Sequence, residues 1–332
     1  MSQANQQIDV LISEDLDSPE IARLASAYSV AKVGALWKDP TGLKNQIRGA
    51  RTILVRNQTR VTAELLSEAP QLLAVARLGV GLDNIDVAAA SERGVVVIAP
   101  LEANAVSVAE LTMALLLALA RKVSSADRLT RAGRWERQAC TGVELQGKLL
   151  AIAGFGRIGK LVAARARAFG LRLLVFDPFI PRDTPALREF QATLCPSLEQ
   201  ALGGADFVSV HSPLTGVTKQ MFNENSLAAI KRGAFFINTS RGELVNETAL
   251  VELLQNGHLA GAALDVRQVE PPVAGVLERM DNVILTPHIG AFTREAQTRT
   301  FQAVCLDLDR ILRGEPATCF VNFAVPGKKA RA

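Results

Sequence analysis

The chain has 332 residues, which is long for one hydrophobic core and sufficient for two domains. Hydrophobic residues make up 48% and charged residues 21%, a balance that excludes an intrinsically disordered chain. A formal net charge of +4, with lysines and arginines spread along the sequence, offers no basic face, so no nucleic-acid partner is expected.

The opening Met-Ser-Gln-Ala-Asn-Gln-Gln is polar and lacks the apolar centre of a signal peptide, which predicts a cytoplasmic protein. Strand-like runs follow at 9–13, 52–55, 72–76 and 95–99, and a helical pattern covers 107–121. The apolar stretch 109–120 contains Glu110 and Thr112 and stops at Arg121-Lys122. It is too short to span a bilayer and reads as a buried helix, so no membrane association is expected. Further strands are predicted at 149–153, 172–176, 207–211, 234–238, 260–265 and 283–286, with helices at 157–168, 247–255 and 293–312. Several of these strands are rich in β-branched residues and free of internal proline, as parallel central strands should be. The alternation predicts an α/β fold with two Rossmann-like, doubly wound parallel sheets. Cys140, Cys195, Cys305 and Cys319 form no CxxC pair and no metal spacing, so reduced thiols and no metal are expected. The Lys328-Lys329-Ala-Arg331 tail reads as solvated and disordered.

The most informative segment is Leu149-Leu-Ala-Ile-Ala-Gly-Phe-Gly-Arg-Ile-Gly159. Gly154, Gly156 and Gly159 form GxGxxG where a strand turns into a helix. The first permits the turn, the second lets backbone approach a pyrophosphate, and the third lets helix and strand pack closely. Asp177, eighteen residues on, ends the next apolar run, where a carboxylate can take hydrogen bonds from a ribose diol. This context predicts an NAD site. The fingerprint stands near residue 150, yet the first hundred residues already look like an α/β domain. Residues 149–286 supply about six strands and leave the last helix over. The predicted arrangement is a discontinuous first domain, 1–103 plus 293–332, carrying substrate, with a nucleotide domain, 104–292, inserted, and a cleft where the chain crosses.

Three histidines are present. His258 lies in a helix-stop turn and reads as inert, and His211 reads as structural at a strand end. His288 follows the last predicted strand, at the edge where ligands bind in open α/β sheets. Arg241 and Glu270 follow two other strands at the same edge. A guanidinium suits a carboxylate, a histidine moves a proton near neutral pH, and a carboxylate beside it orients the ring.

The segments Arg77-Leu-Gly-Val-Gly-Leu-Asp-Asn-Ile-Asp86, Val108-Ala-Glu-Leu111, the 154–159 fingerprint, His211-Ser-Pro-Leu-Thr215, Asn238-Thr-Ser-Arg-Gly-Glu243, Ala263-Leu-Asp-Val266, Glu270-Pro-Pro272 and Pro287-His-Ile-Gly-Ala291 occur in a distinctive order. In this the chain resembles the D-isomer-specific 2-hydroxyacid dehydrogenase family, in particular its phosphoglycerate dehydrogenase-like branch, without a C-terminal regulatory domain. The resemblance covers about residues 50–322. It implies an NAD-dependent oxidoreductase that interconverts a D-2-hydroxy acid and its 2-oxo acid. Arg241 would bind substrate, His288 would be the general acid or base, and Glu270 its partner. The amides of Val80 and Gly81 would hold the substrate carboxylate. Gly154, Gly156, Arg157, Ile158, Gly159, Asp177, Ser212, Thr239, Ser240, Asp265 and Gly290 would surround the cofactor, with Asp265 at the nicotinamide carboxamide. The 107–121 helix and an arm containing Trp135 resemble the family's dimerisation segment, implying a homodimer.

Two departures bear on substrate choice: Arg267 stands where an aromatic is frequent, and Phe292 where a small residue is common. Arg56 lies where the branch has an arginine for a distal anion, and Arg77 and Arg267 could add positive charge or pair with local acids. A substrate with a second anionic group, of the 3-phosphoglycerate or sulfolactate type, is therefore expected. The alternatives are a glyoxylate/hydroxypyruvate reductase, a formate dehydrogenase, against which Glu270 speaks, and a non-enzymatic NAD-sensing co-repressor.

Overall fold

The computed structural model describes residues 7–327. The first six residues, and the basic tail read above as disordered, lie outside the described residues. The chain divides into two compact units, one comprising Met1–Asn104 and Thr293–Ala332, the other Ala105–Phe292.

The first unit is built on five strands: β1 (Ile8–Ile12), β2 (Val30–Lys32), β3 (Ala50–Val55), β4 (Ala74–Arg77) and β5 (Val96–Ile98). They run parallel in the order β2-β1-β3-β4-β5. Alternate residues serve opposite faces. Val10, Ile12, Leu54 and Val96 join one core; Leu11, Ile53, Val55 and Val97 join the other. Covering both faces is what makes these strands near-continuous apolar runs. Helix Arg294–Leu312 closes the first face, placing Phe301, Val304, Leu308 and Ile311, spaced three and four apart, against it. Thr293 caps that helix by accepting from the Ala296 amide.

The second unit holds a seven-stranded parallel sheet: β6 (Leu149–Ala153), β7 (Arg172–Phe176), β8 (Ala192–Leu194), β9 (Phe207–Val210), β10 (Ala234–Asn238), β11 (Leu259–Leu264) and β12 (Val283–Leu285). Their order is β12-β11-β10-β9-β6-β7-β8. The order reverses between β6 and β9, and ligands of open sheets bind beyond the strand ends at such a point. Helix Ala105–Ala120 puts Met113, Leu116 and Leu119 into a core with Ile152, Phe155, Val162 and Ala166. The next helix, Val123–Arg131, buries none of its residues.

Six strands are legible in the sequence of this unit, and β8 is a seventh. Both unforeseen strands, β2 and β8, are three-residue edge strands, too short to show a period. The strand placed at 72–76 begins later, because the Leu72 amide closes a turn onto the Ala69 carbonyl at 3.2 Å. Among the described residues no helix is long and apolar enough to cross a membrane.

Candidate active site

In the second unit the glycines separate by function. Gly154 has φ +96°, and a Cβ there would stand 2.7 Å from the backbone between His211 and Ser212. At Gly159 a Cβ would meet the Gly154 carbonyl at 2.2 Å, so helix and strand touch through backbone. A Cβ on Gly156 would meet nothing within 4 Å. That glycine faces open space, as close approach of a phosphate requires. It also begins helix Arg157–Ala168, whose first turn has no side-chain cap. Its amides, with Arg157 and Ile158 leading, are the kind of donor set that receives an anion.

Asp177 stands at the end of β7, fixed by two amides: Phe155 N–H donates to Oδ2 at 2.8 Å and Phe179 N–H to Oδ1 at 2.9 Å. Of the hydroxyls expected at cofactor, Ser212 Oγ donates to the Ala153 carbonyl and Thr239 Oγ1 pairs with Thr112 Oγ1 at 2.8 Å, both buried. Ser240 Oγ donates to the Ser212 carbonyl at 2.6 Å. These side chains tie strand ends together. His211 shares a 2.8 Å hydrogen bond with Ser209, and burial pushes its pKa down to about 3, so the ring is neutral at physiological pH.

Arg241, Glu270 and His288 follow β10, β11 and β12. His288 Nδ1 and Glu270 Oε2 are 2.7 Å apart. With Nδ1 engaged by the carboxylate, Nε2 is the ring nitrogen on the side away from Glu270. Burial alone would raise the Glu270 carboxyl. The His288 hydrogen bond, the Arg267 amide and the charges of His288 and Arg241 outweigh it and hold the group below its ordinary value. The Asn238 side chain shapes the Arg241 turn, donating to the Arg241 carbonyl at 2.8 Å and accepting from the Ser240 amide at 3.0 Å.

His288 sits at φ +54°, a left-handed conformation costly for a residue with a Cβ. Asp265 holds it there. This carboxylate is 1% exposed, and it accepts from the Thr286 hydroxyl (2.6 Å) and from the amides of Ile289 and Gly290 (2.8 Å each). The Asp265 carbonyl takes the His288 amide at 2.8 Å. Asp265, placed at the nicotinamide by resemblance, thus has both oxygens committed to the histidine loop, a role that the Ala-Leu-Asp-Val segment alone could not reveal. Gly290 is packed inward as well: a Cβ would lie 3.1 Å from Asp265 and 3.3 Å from Val108.

Arg267 pairs with local acids, the other of the two roles open to it. Its guanidinium pairs with Glu247 at 3.2 Å and with Glu278, and its amide donates to Glu270 at 3.0 Å. The hydrogen bond from Arg267 and the Gly275 amide pull the Glu278 carboxyl down to about 2. The departure from an aromatic here is a local ion cluster that braces the Glu270 loop. A Cβ on Gly242 would fall 2.0 Å from the Arg267 carbonyl carbon, so the Arg241 and Glu270 loops lie against each other.

In the first unit, Arg56 follows β3, Arg77 ends β4, and Val80 and Gly81 lie in the next loop. Arg77 is 7% exposed and donates to Asn84 at 3.0 Å and Asn57 at 3.2 Å. Its guanidinium ties these loops together. Arg56 donates to Gln297 at 2.8 Å, and burial lowers its pKa. Phe292 is 54% exposed.

Residues 113–290 match the model of the D-isomer specific 2-hydroxyacid dehydrogenase NAD binding domain. The chain belongs to the D-isomer specific 2-hydroxyacid dehydrogenase family. Its cofactor is accordingly NAD. A D-3-phosphoglycerate dehydrogenase of Methanocaldococcus jannaschii is 38% identical over 97% of this chain and 61% of its own length. The chain thus spans about three fifths of the length of such a relative. A solved protein from Thermus thermophilus matches 95% of this chain and 100% of its own at 36% identity and a TM-score of 0.87. A glyoxylate reductase from Paecilomyes thermophila matches 95% of this chain and 98% of its own at 29% identity and a TM-score of 0.84.

Proposed function

We propose that this family member is an NAD-dependent enzyme that interconverts a D-2-hydroxy acid and its 2-oxo acid, and that its substrate carries a second anionic group. The observation that carries the reaction is the 2.7 Å Glu270–His288 pair beside the charge of Arg241. Arg241 holds the substrate carboxylate and polarises the 2-oxo group. His288 Nε2 delivers the proton to that oxygen in reduction and removes it in oxidation, while Glu270 orients the ring through Nδ1. NAD, when bound, supplies or accepts the hydride at the carbon. The amides of Val80 and Gly81 add donors for the substrate carboxylate. Asp177 favours NAD(H) over NADP(H), since a carboxylate accepts from two ribose hydroxyls and repels a 2′-phosphate.

The second anion rests on Arg56, the arginine of the 3-phosphoglycerate type of site; the relation to D-3-phosphoglycerate dehydrogenases supports it. A glyoxylate/hydroxypyruvate reductase is the second reading, favoured by the pairing of Arg267 with Glu247 and Glu278, which leaves one cation fewer for a distal anion. The deciding experiment is a panel of 2-oxo acids, including 3-phosphohydroxypyruvate, sulfopyruvate and glyoxylate, with NADH and with NADPH, on wild type and Arg56→Met. Highest kcat/KM for a dianionic acid with NADH, lost in Arg56→Met, supports the proposal. Best reduction of uncharged side chains, indifferent to Arg56→Met, establishes the small-acid reductase. Equal or better kcat/KM with NADPH overturns the cofactor preference. We further propose a cytoplasmic homodimer in which the segment after helix Ala105–Ala120, with Trp135, meets a second copy.

A further inference from the structure

Glu14 follows β1 and is 5% exposed, an expensive place for a carboxyl group unless its oxygens are satisfied. They are satisfied by one loop. The amides of Arg56, Gln58 and Thr59 donate to Oε1 at 2.8, 3.1 and 3.0 Å, and that of Asn57 donates to Oε2 at 3.2 Å. Four consecutive N–H groups therefore converge on one side chain. The opposite polarity of the same loop is fixed by Asn84, whose amide donates to the Arg56 carbonyl at 3.2 Å and the Thr59 carbonyl at 2.7 Å. Asn84 is itself gripped by Arg77, and the Ser13 and Thr59 hydroxyls share a 2.7 Å hydrogen bond. The location is telling. β1 and β3 are neighbours with β2 and β4 on their outer sides, so the order of this sheet reverses between them. Glu14 and Arg56 follow the carboxyl ends of those two strands, the place where open α/β sheets present groups to ligands.

We propose that Glu14 is a positioning residue for substrate specificity: by gathering the four amides of 56–59 it fixes the backbone from which Arg56 addresses the second anion of the substrate. The inference rests on the reading of Arg56 given above. A loop already held in the conformation that binds spares the ordering cost of binding, so loosening it weakens the contact it carries. A loop held at every N–H and at two carbonyls has little freedom to drift. Glu14 acts on Arg56 alone among the groups assigned to substrate, so its loss should be read in one substrate class.

The test is Glu14→Gln, which keeps the shape but turns an NH2 group toward amide donors. Steady-state reduction of 3-phosphohydroxypyruvate and of glyoxylate is measured at saturating NADH beside wild type and Arg56→Met. The expected result is a KM for 3-phosphohydroxypyruvate raised about tenfold, with kcat changed less than about twofold and the KM for glyoxylate less than about threefold. NADH affinity and the melting midpoint verify an intact fold. If Glu14→Gln does not fold, Glu14→Asp, which keeps the charge but shortens its reach to the four amides, should give the same split. A wild-type KM for the phosphorylated acid in both variants, while Arg56→Met loses it, overturns the inference and leaves the reading of Arg56 standing. Equal weakening toward both acids also overturns it, since the effect is then general. No preference of wild type for the phosphorylated acid, with no effect of Arg56→Met, overturns the reading itself and this inference with it.

Discussion

His288 and Glu270 divide one task between two side chains, and their variants should fail differently. His288→Ala removes the group that moves the proton. Turnover should fall about 100-fold or more while NADH affinity, measured by fluorescence titration, changes little. Glu270→Gln keeps a hydrogen-bond acceptor near Nδ1 but removes the carboxylate that orients the ring, so kcat should fall, by less than in His288→Ala, with NADH affinity little changed. Wild-type kcat and KM in that variant would make Glu270 purely structural. At this scale the sequence was legible in placing Arg241, Glu270 and His288 beyond the ends of three strands of one sheet. It was silent where a side chain serves backbone at a distance: Glu14 lies 42 positions before the Arg56 amide it holds, and no local pattern announces such a partner. Arg267 was ambiguous for the same reason, since Glu247 and Glu278 become its neighbours only through the fold.

Among the elements, several periodic segments were readable to the residue, whereas the 107–121 and 293–312 patterns missed the ends of helices Ala105–Ala120 and Arg294–Leu312 by one or two residues. Helices Arg157–Ala168 and Glu247–Gln255 and strands β6, β7 and β10 fall where the pattern put them. Short helices such as Ala63–Ser67, Leu198–Leu202 and Glu224–Ala228 were not anticipated, because five residues do not complete two turns of an apolar stripe. Their caps, Thr62, Ser197 and Asn223, were the available signal. Helix Arg294–Leu312 is the element with the most remote partner in sequence, for it completes a core begun by β1. Leu308, with no exposed surface, lies at the centre of that contact. Leu308→Ala should cost about 2–5 kcal/mol and lower the melting midpoint, whereas a substitution at the exposed Leu306 should leave it nearly in place.

At the level of the whole molecule, two features set expectations. The first is the stretch after helix Ala105–Ala120. Helix Val123–Arg131 buries no residue, Trp135 is 79% exposed, and Val123 is 54% exposed. A second copy covering this stretch is the proposed assembly. Sedimentation at micromolar concentration should give a dimer, and Trp135→Asp should shift it toward monomer; a wild-type monomer would count against it. The second is the left-handed backbone at His288. Replacing glycine by alanine in an ordinary loop usually strengthens a protein, because alanine restricts the unfolded chain more. At position 288 the order should invert: His288→Gly should melt above His288→Ala, since only glycine adopts that conformation freely. The gap in melting temperature between those two variants measures what the left-handed backbone at 288 costs any side chain placed there, the stability set against whatever the imidazole does.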